Sequence, residues 1–206
     1  MPVSLGTAGQ EAAGQSPLQQ GLELLARGDC PGAVASFTRA KQLEPGNPQI
    51  HLALGLASTC LRDLGAAKAE YLAALEARPD YASAHNAMGL LLLKAGDIEQ
   101  ASTHFQNAVR FDATYAEART NIAYALCAQG IAGGAVKECQ TALAQTSDYP
   151  FLREVAATAS ILSGDLVGGS EHLRQLQRQS VATATALVDL TPGSLAAGKA
   201  TAAPPV

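Results

Sequence analysis

Small and apolar residues return along this chain at a constant interval of 34 residues. Gly21, Ala33, Phe37, Ala40 and Pro45 recur as Gly55, Ala67, Tyr71, Ala74 and Pro79. The series continues as Gly89, Ala101, Phe105 and Ala108, and once more as Ala123, Ala135, Cys139 and Ala142. A fixed period of this length marks stacked supersecondary units, each burying its apolar face against the next. Glycine inside a helix costs about 1 kcal/mol relative to alanine. Its return at one register position therefore predicts the close approach of a second helix. Ala33, Ala67, Ala101 and Ala135 offer the other small surface at that crossing. Phe37, Tyr71 and Phe105 lie four residues on, on the same helical face, and are predicted to fill the space between units. Cys139 is smaller, and looser packing is predicted in the fourth unit.

Turn and cap residues divide the pattern into helix pairs. The first pair is predicted over Ser16 to Arg27 and from Pro31 to about Leu43, with Gly28 ending one helix and Asp29 capping the next. Pro31 suits a helix start, where its missing N–H is harmless. The cluster from Glu44 to Pro48 is a stop. The second pair is predicted over Pro48–Arg62 and Gly65–Arg78, with Asp63 as cap; Arg62 stands where the first pair has glycine, so Gly65 is expected to take the strained turn. The third pair, Ala82–Ala95 and Ile98–Phe111, turns at Gly96-Asp97. The fourth, Ala116–Gln129 and Ala132–Gln145, turns at Gly130 and is weakened by Gly133-Gly134. A degenerate fifth pair, Pro150–Leu162 and Val167–Gln179, repeats the turn at Gly164-Asp165 and ends on a narrow Leu173/Leu176 stripe, as suits a cap. The repeats thus divide at about 15–47, 48–81, 82–115 and 116–149, with a cap at 150–180. Residues 1–14 are predicted to be a disordered tail. Residues 181–206 open with helical spacing and then become small, proline-containing and mostly disordered.

A small residue in a first helix, a small–aromatic–small series in a second and a closing proline resemble the tetratricopeptide repeat. The fold class expected is all-α: a right-handed solenoid of antiparallel helix pairs.

Composition narrows the function. Hydrophobic residues make up 48% of 206 residues, but aromatics only 4%, and tryptophan is absent. The apolar content is mostly alanine and leucine, which suits close-packed helices and argues against a β core. The net charge is −4, with no basic block. Phosphate binding needs clustered lysine and arginine, so nucleic acid is not expected as a partner. No stretch approaches the ~18 apolar residues of a membrane span, so direct membrane insertion is not expected. No signal peptide is visible in residues 1–20, and a cytoplasmic location is expected unless the start is misassigned. Cys30, Cys60, Cys127 and Cys139 show no metal or redox spacing and are read as small apolar filler in a reducing compartment.

No phosphate loop, HExxH, GxSxG or histidine-linked carboxylate pair is present. No catalytic residue, cofactor or metal is therefore expected. His51 and His85 occupy equivalent repeat positions. Equivalent positions lie about 8–10 Å apart, too far to share a metal at ~2 Å per bond. They are read, with His104 and His172 unassigned, as residues on the edge of the first helices.

The tetratricopeptide resemblance implies a concave groove lined by first helices. Its positions here hold Leu22, Leu52, Leu56, Asn86, Leu90, Leu93, Thr120, Asn121 and Tyr124, flanked by Leu18, Leu25, Thr59, Cys60, Lys94 and Cys127. The lining is mostly apolar, with a polar end at Asn86, Thr120 and Asn121. Where some members of the family carry a carboxylate clamp, this chain has Leu18, Leu22, Ala53, Ser83 and Ala87, so that kind of tail recognition is not implied. An apolar groove favours an amphipathic helix or an extended apolar peptide. Shielding of the leucines by neighbours, or by the chain's own tail, is the alternative. The expected function is a non-enzymatic scaffold for a protein or peptide partner. Two alternatives stay open: a dedicated assembly factor or chaperone for a secretion, pilus or envelope complex, and an accessory subunit of a transferase. Homo-oligomerisation through the C-terminal repeats is a further expectation.

Overall fold

The computed structural model describes residues 15–146 and 150–179. The tails expected at 1–14 and 181–206 lie outside these residues. Among the described residues ten helices follow one another, and they fall into two compact units that divide between Pro79 and Asp80. The first unit holds α1 (Pro17–Ala26), α2 (Cys30–Leu43), α3 (Pro48–Cys60) and α4 (Leu64–Ala77). The second holds α5 (Ala82–Lys94), α6 (Ile98–Phe111), α7 (Ala116–Ala128), α8 (Ala132–Gln145), α9 (Pro150–Leu162) and α10 (Leu166–Gln179).

The pairing rests on the glycine–aromatic register. Phe37, Tyr71 and Phe105 on the second helices are buried to 1% exposure or less. Each ring lies over the glycine of its partner helix. A methyl group built at Gly89 would stand 2.5 Å from Phe105 Cε1, and Gly21 and Gly55 meet Phe37 and Tyr71 in the same way. Phe37 belongs to one buried cluster with Ile50, Ala53, Leu54 and Ala57 of α3, so the core of the first pair continues into the next. In the fourth pair alanine stands at 123 and cysteine at 139, and both are buried in one cluster.

The turns between paired helices share one geometry. Gly28, Gly96, Gly130 and Gly164 have φ between 78° and 91°, the left-handed conformation that glycine adopts freely. The next N–H then reaches back into the preceding helix, as in Asp29 N to Leu24 O (2.9 Å) and Asp97 N to Leu92 O (3.0 Å). In the second pair the sequence expectation fails. Gly65 lies inside α4, and Arg62 itself takes the left-handed turn at φ 61°. The bond from Asp63 N to Ser58 O (2.9 Å) is kept, so the position and not the residue type fixes the turn. Asp29, Asp63 and Asp97 cap the second helices, accepting from Gly32 N, Ala66 N and Gln100 N. Ile131 holds that position before α8 and makes no side-chain cap.

The cysteine reading is corrected for one pair. Cys30, at the start of α2, and Cys60, at the end of α3, are joined as a disulfide with Cα atoms 6.1 Å apart. Cys127 and Cys139 are free and buried, as filler should be.

Candidate docking faces on the first helices

The sequence-predicted site residues behave differently in the two units. In the first, Leu22 on α1 is 48% exposed. Leu52 and Leu56 are half-buried and lie four residues apart on α3, hence on one helical face. Leu18 and Leu25 instead lean on the core of the unit. Thr59 Oγ1 bonds its own helix at Gly55 O (2.9 Å) and meets Tyr71 Oη at 3.0 Å.

In the second unit, Leu90, Leu93 and Tyr124 are half-buried. Tyr124 tilts against Phe151 with centroids 6.1 Å apart. The three polar positions are buried: Asn86, Thr120 and Asn121. Asn121 Nδ2 donates to Asn86 Oδ1 at 2.9 Å, and Asn86 Nδ2 donates to Tyr115 Oη at 3.4 Å. Thr120 Oγ1 donates to Ala116 O at 2.9 Å. Such bonds satisfy groups that burial would otherwise leave unpaired, and they join α5 to α7. The polar end thus holds helices together, while the apolar positions keep surface open to solvent.

A second constellation was not anticipated. Positions 51, 85, 119 and 153 are one repeat apart, and each reaches a residue 19 further on in the second helix of its own pair. His51 Nδ1 meets Glu70 Oε2 at 2.7 Å, and His51 Nε2 meets Pro45 O at 2.9 Å. His85 Nδ1 meets His104 Nδ1 at 3.1 Å, and the His85 ring stacks on Phe111. Arg119 Nη1 donates to Glu138 Oε2 at 3.1 Å. Arg153 Nη1 lies 2.9 Å from His172 Nδ1, which accepts. His51 and His85 are therefore buried clamps between paired helices and not edge residues. The signal was present in the sequence: from the second pair to the fifth, both ladders carry a hydrogen-bonding side chain at each step.

Electrostatics follow from these clamps. Burial alone would raise the Glu70 carboxyl, but hydrogen bonds and charge from Lys41, 2.8 Å away, and from His51 outweigh it and leave it below the ordinary glutamate range. Burial, then the neighbouring His85, lowers His104. Among the described residues, no group of three or more His, Cys, Asp or Glu is placed to hold a metal, and no helix is long and apolar enough to cross a membrane.

Comparison with known families decides what these helix pairs are. A family profile described as Tetratricopeptide repeat matches residues 18–82, and one described as TPR repeat matches residues 89–130. The chain belongs to the tetratricopeptide-repeat family. Solved structures of similar fold include a thermophilic TPR protein of Thermus thermophilus, with TM-score 0.69 and 22% identity over 84% of this chain and 97% of that one. PilW, a widely conserved type IV pilus biogenesis factor, aligns with TM-score 0.71 and 22% identity over 91% of this chain and 87% of its own. YrrB, a TPR protein with an unusual peptide-binding site, aligns with TM-score 0.63 and 17% identity over 88% and 95%. No curated protein matches the sequence. Tetratricopeptide-repeat proteins are generally non-catalytic modules that bind protein or peptide partners.

Proposed function

We propose that this tetratricopeptide-repeat protein is a non-enzymatic scaffold that takes an apolar peptide, or the apolar face of a partner's helix, on its first helices. The observation that carries the reading is the leucine face of the first unit, where Leu22 stands 48% exposed on α1 and Leu52 and Leu56 share a face of α3. A guest helix offers apolar side chains at matching three- and four-residue spacing. In the second unit Leu90 and Tyr124 hold the repeat position of Leu22 and Leu56, and Leu93 lies three residues on from Leu90. Asn86, Thr120 and Asn121 serve from below, by fixing the helices that carry these side chains. The likeness to YrrB supports peptide capture as a use of this fold.

The test is capture from the native host with the full chain as bait, followed by cross-linking mass spectrometry. Cross-links are expected on α1 and α3, and on α5 and α7. A Leu22→Ala/Leu56→Ala variant should lose tenfold or more in affinity for the captured partner while its far-UV circular dichroism stays unchanged. Unchanged capture by that variant and by Leu90→Ala/Tyr124→Ala would refute the docking face.

A second reading, an assembly factor for a pilus or envelope complex, draws on the fold likeness to PilW. It predicts that a single membrane-anchored or aggregation-prone protein co-purifies. Recovery of many unrelated partners counts against it.

A further inference from the structure

We propose that the Cys30–Cys60 bond is a permanent structural cross-link of the first unit, installed by a disulfide-donating protein, and that this chain works in an oxidising compartment. Filler does not explain this pair. Cys30 is 4% exposed, but Cys60 lies at the open end of α3, exposed to solvent. An exposed free thiol packs nothing and invites oxidation. The two Cα atoms are 6.1 Å apart, within the 4.4–6.8 Å or so that native disulfides span, so the backbone need not move to accept the bond.

The repeat register sharpens the point. The positions equivalent to 30 and 60 in later repeats hold Leu64 with Lys94, Ile98 with Ala128, and Ala132 with Leu162. No other step of the repeat holds a cysteine at either position, so the pair is particular to the junction of α2 and α3. The bond closes a 30-residue separation, in a unit of only four helices. Small units with limited cores gain most from such a staple.

The other two cysteines provide an internal control. Cys127 and Cys139 are buried, and burial pushes each thiol up to about 12. They are neither accessible to a donor nor ionised enough to attack one. The chain therefore carries one pair suited to oxidation and one suited to remain thiol.

The chemistry balances as thiol–disulfide exchange. The Cys60 thiolate attacks a sulfur of the donor's disulfide, giving a mixed disulfide and releasing one donor thiolate. The Cys30 thiolate then attacks Cys60 Sγ, forming the cross-link and expelling the second donor thiolate. The donor is reduced by two electrons and takes up the two protons that the cysteines lose.

Native host cells are quenched in acid, and the full chain is labelled under denaturing conditions with a maleimide–polyethylene glycol, with and without prior reduction. Two labels are expected without reduction and four after it. A Cys127→Ser/Cys139→Ser variant should take none before reduction. With purified chain, complete reduction should lower the unfolding midpoint by about 10 °C, from the loop-closure effect expected for this separation. The Cys30→Ser/Cys60→Ser variant should melt at the reduced midpoint in either condition. Four labels from unreduced cells, any label on the Cys127→Ser/Cys139→Ser variant before reduction, or a fully reduced chain with an unmoved midpoint would each overturn the proposal.

Discussion

Substituting Gly89 by alanine pits two well-measured effects against each other. Alanine is the better helix former by about 1 kcal/mol in a helix interior, so on an open face the change would stabilise. Here the new methyl would lie 2.5 Å from Phe105 Cε1 and 2.6 Å from Cδ1. Carbon atoms in contact prefer roughly 3.5–4.0 Å, so the ring must retreat by about 1 Å. Phe105 is fully buried, with alanines 101 and 108 a turn to either side, also at 0% exposure. Overpacking of this kind costs about 1–3 kcal/mol. Combined with the propensity gain, the net result is a loss of up to about 2 kcal/mol. The decisive measurement is a double-mutant cycle read by urea denaturation at constant m-value. In a Phe105→Leu background the ring is gone, and the fifth pair shows that alanine at 157 and leucine at 173 occupy these register positions together. There, Gly89→Ala should stabilise by about 1 kcal/mol. The sign should reverse between backgrounds. An equal effect in both, or stabilisation of the wild type, would mean that the glycine is not there for the ring.

Other outcomes follow from the turns and clamps. Arg62→Gly should stabilise by about 1 kcal/mol, because an L-residue at φ 61° carries a penalty that glycine escapes; thermal melts give the answer, and a loss would show that the arginine side chain contributes more than its backbone costs. Ile131→Asp should add about 1 kcal/mol by restoring the cap that Asp29, Asp63 and Asp97 provide, and an unchanged midpoint would refute that role. Because the folded state holds His104 below its ordinary value of 6.5, the unfolded chain binds the extra proton first, and stability is lost as pH falls from there through the lower folded value. The slope cannot exceed the ~1.4 kcal/mol per pH unit of one full proton, and His104→Gln should flatten it. Glu70 adds a second loss at more acid pH, since its contribution is full above 4.5 and disappears as the depressed carboxyl protonates; Glu70→Gln should remove that step.

What could be read from the sequence was what repeats. The glycine–aromatic ladder and the Gly-Asp turns depend on backbone register, which a period reveals directly. The Arg62 turn was misjudged because glycine was taken as the cause of the turn, when the returning Asp63 N–H already fixed it. The disulfide was missed because its cysteines stand at different phases of the repeat. Cys60 corresponds to Ala26, the last residue of α1, which the tight turn brings near Cys30; the partner comes from the following pair. The candidate site was legible only as a set of positions. Asn86 and Asn121 lie 35 residues apart, and nothing in their identities distinguishes a pair that bonds in the interior from one that greets a ligand.

The fit of glycine to ring between paired helices also limits how such a chain can change. Glycine fits beneath an aromatic ring, whereas a methyl group at the same position meets that ring head-on. Single drift at one register position is therefore opposed, whereas duplication or shuffling of a whole 34-residue block carries both halves of the fit together. Arrays of this kind should lengthen and shorten more easily than they vary.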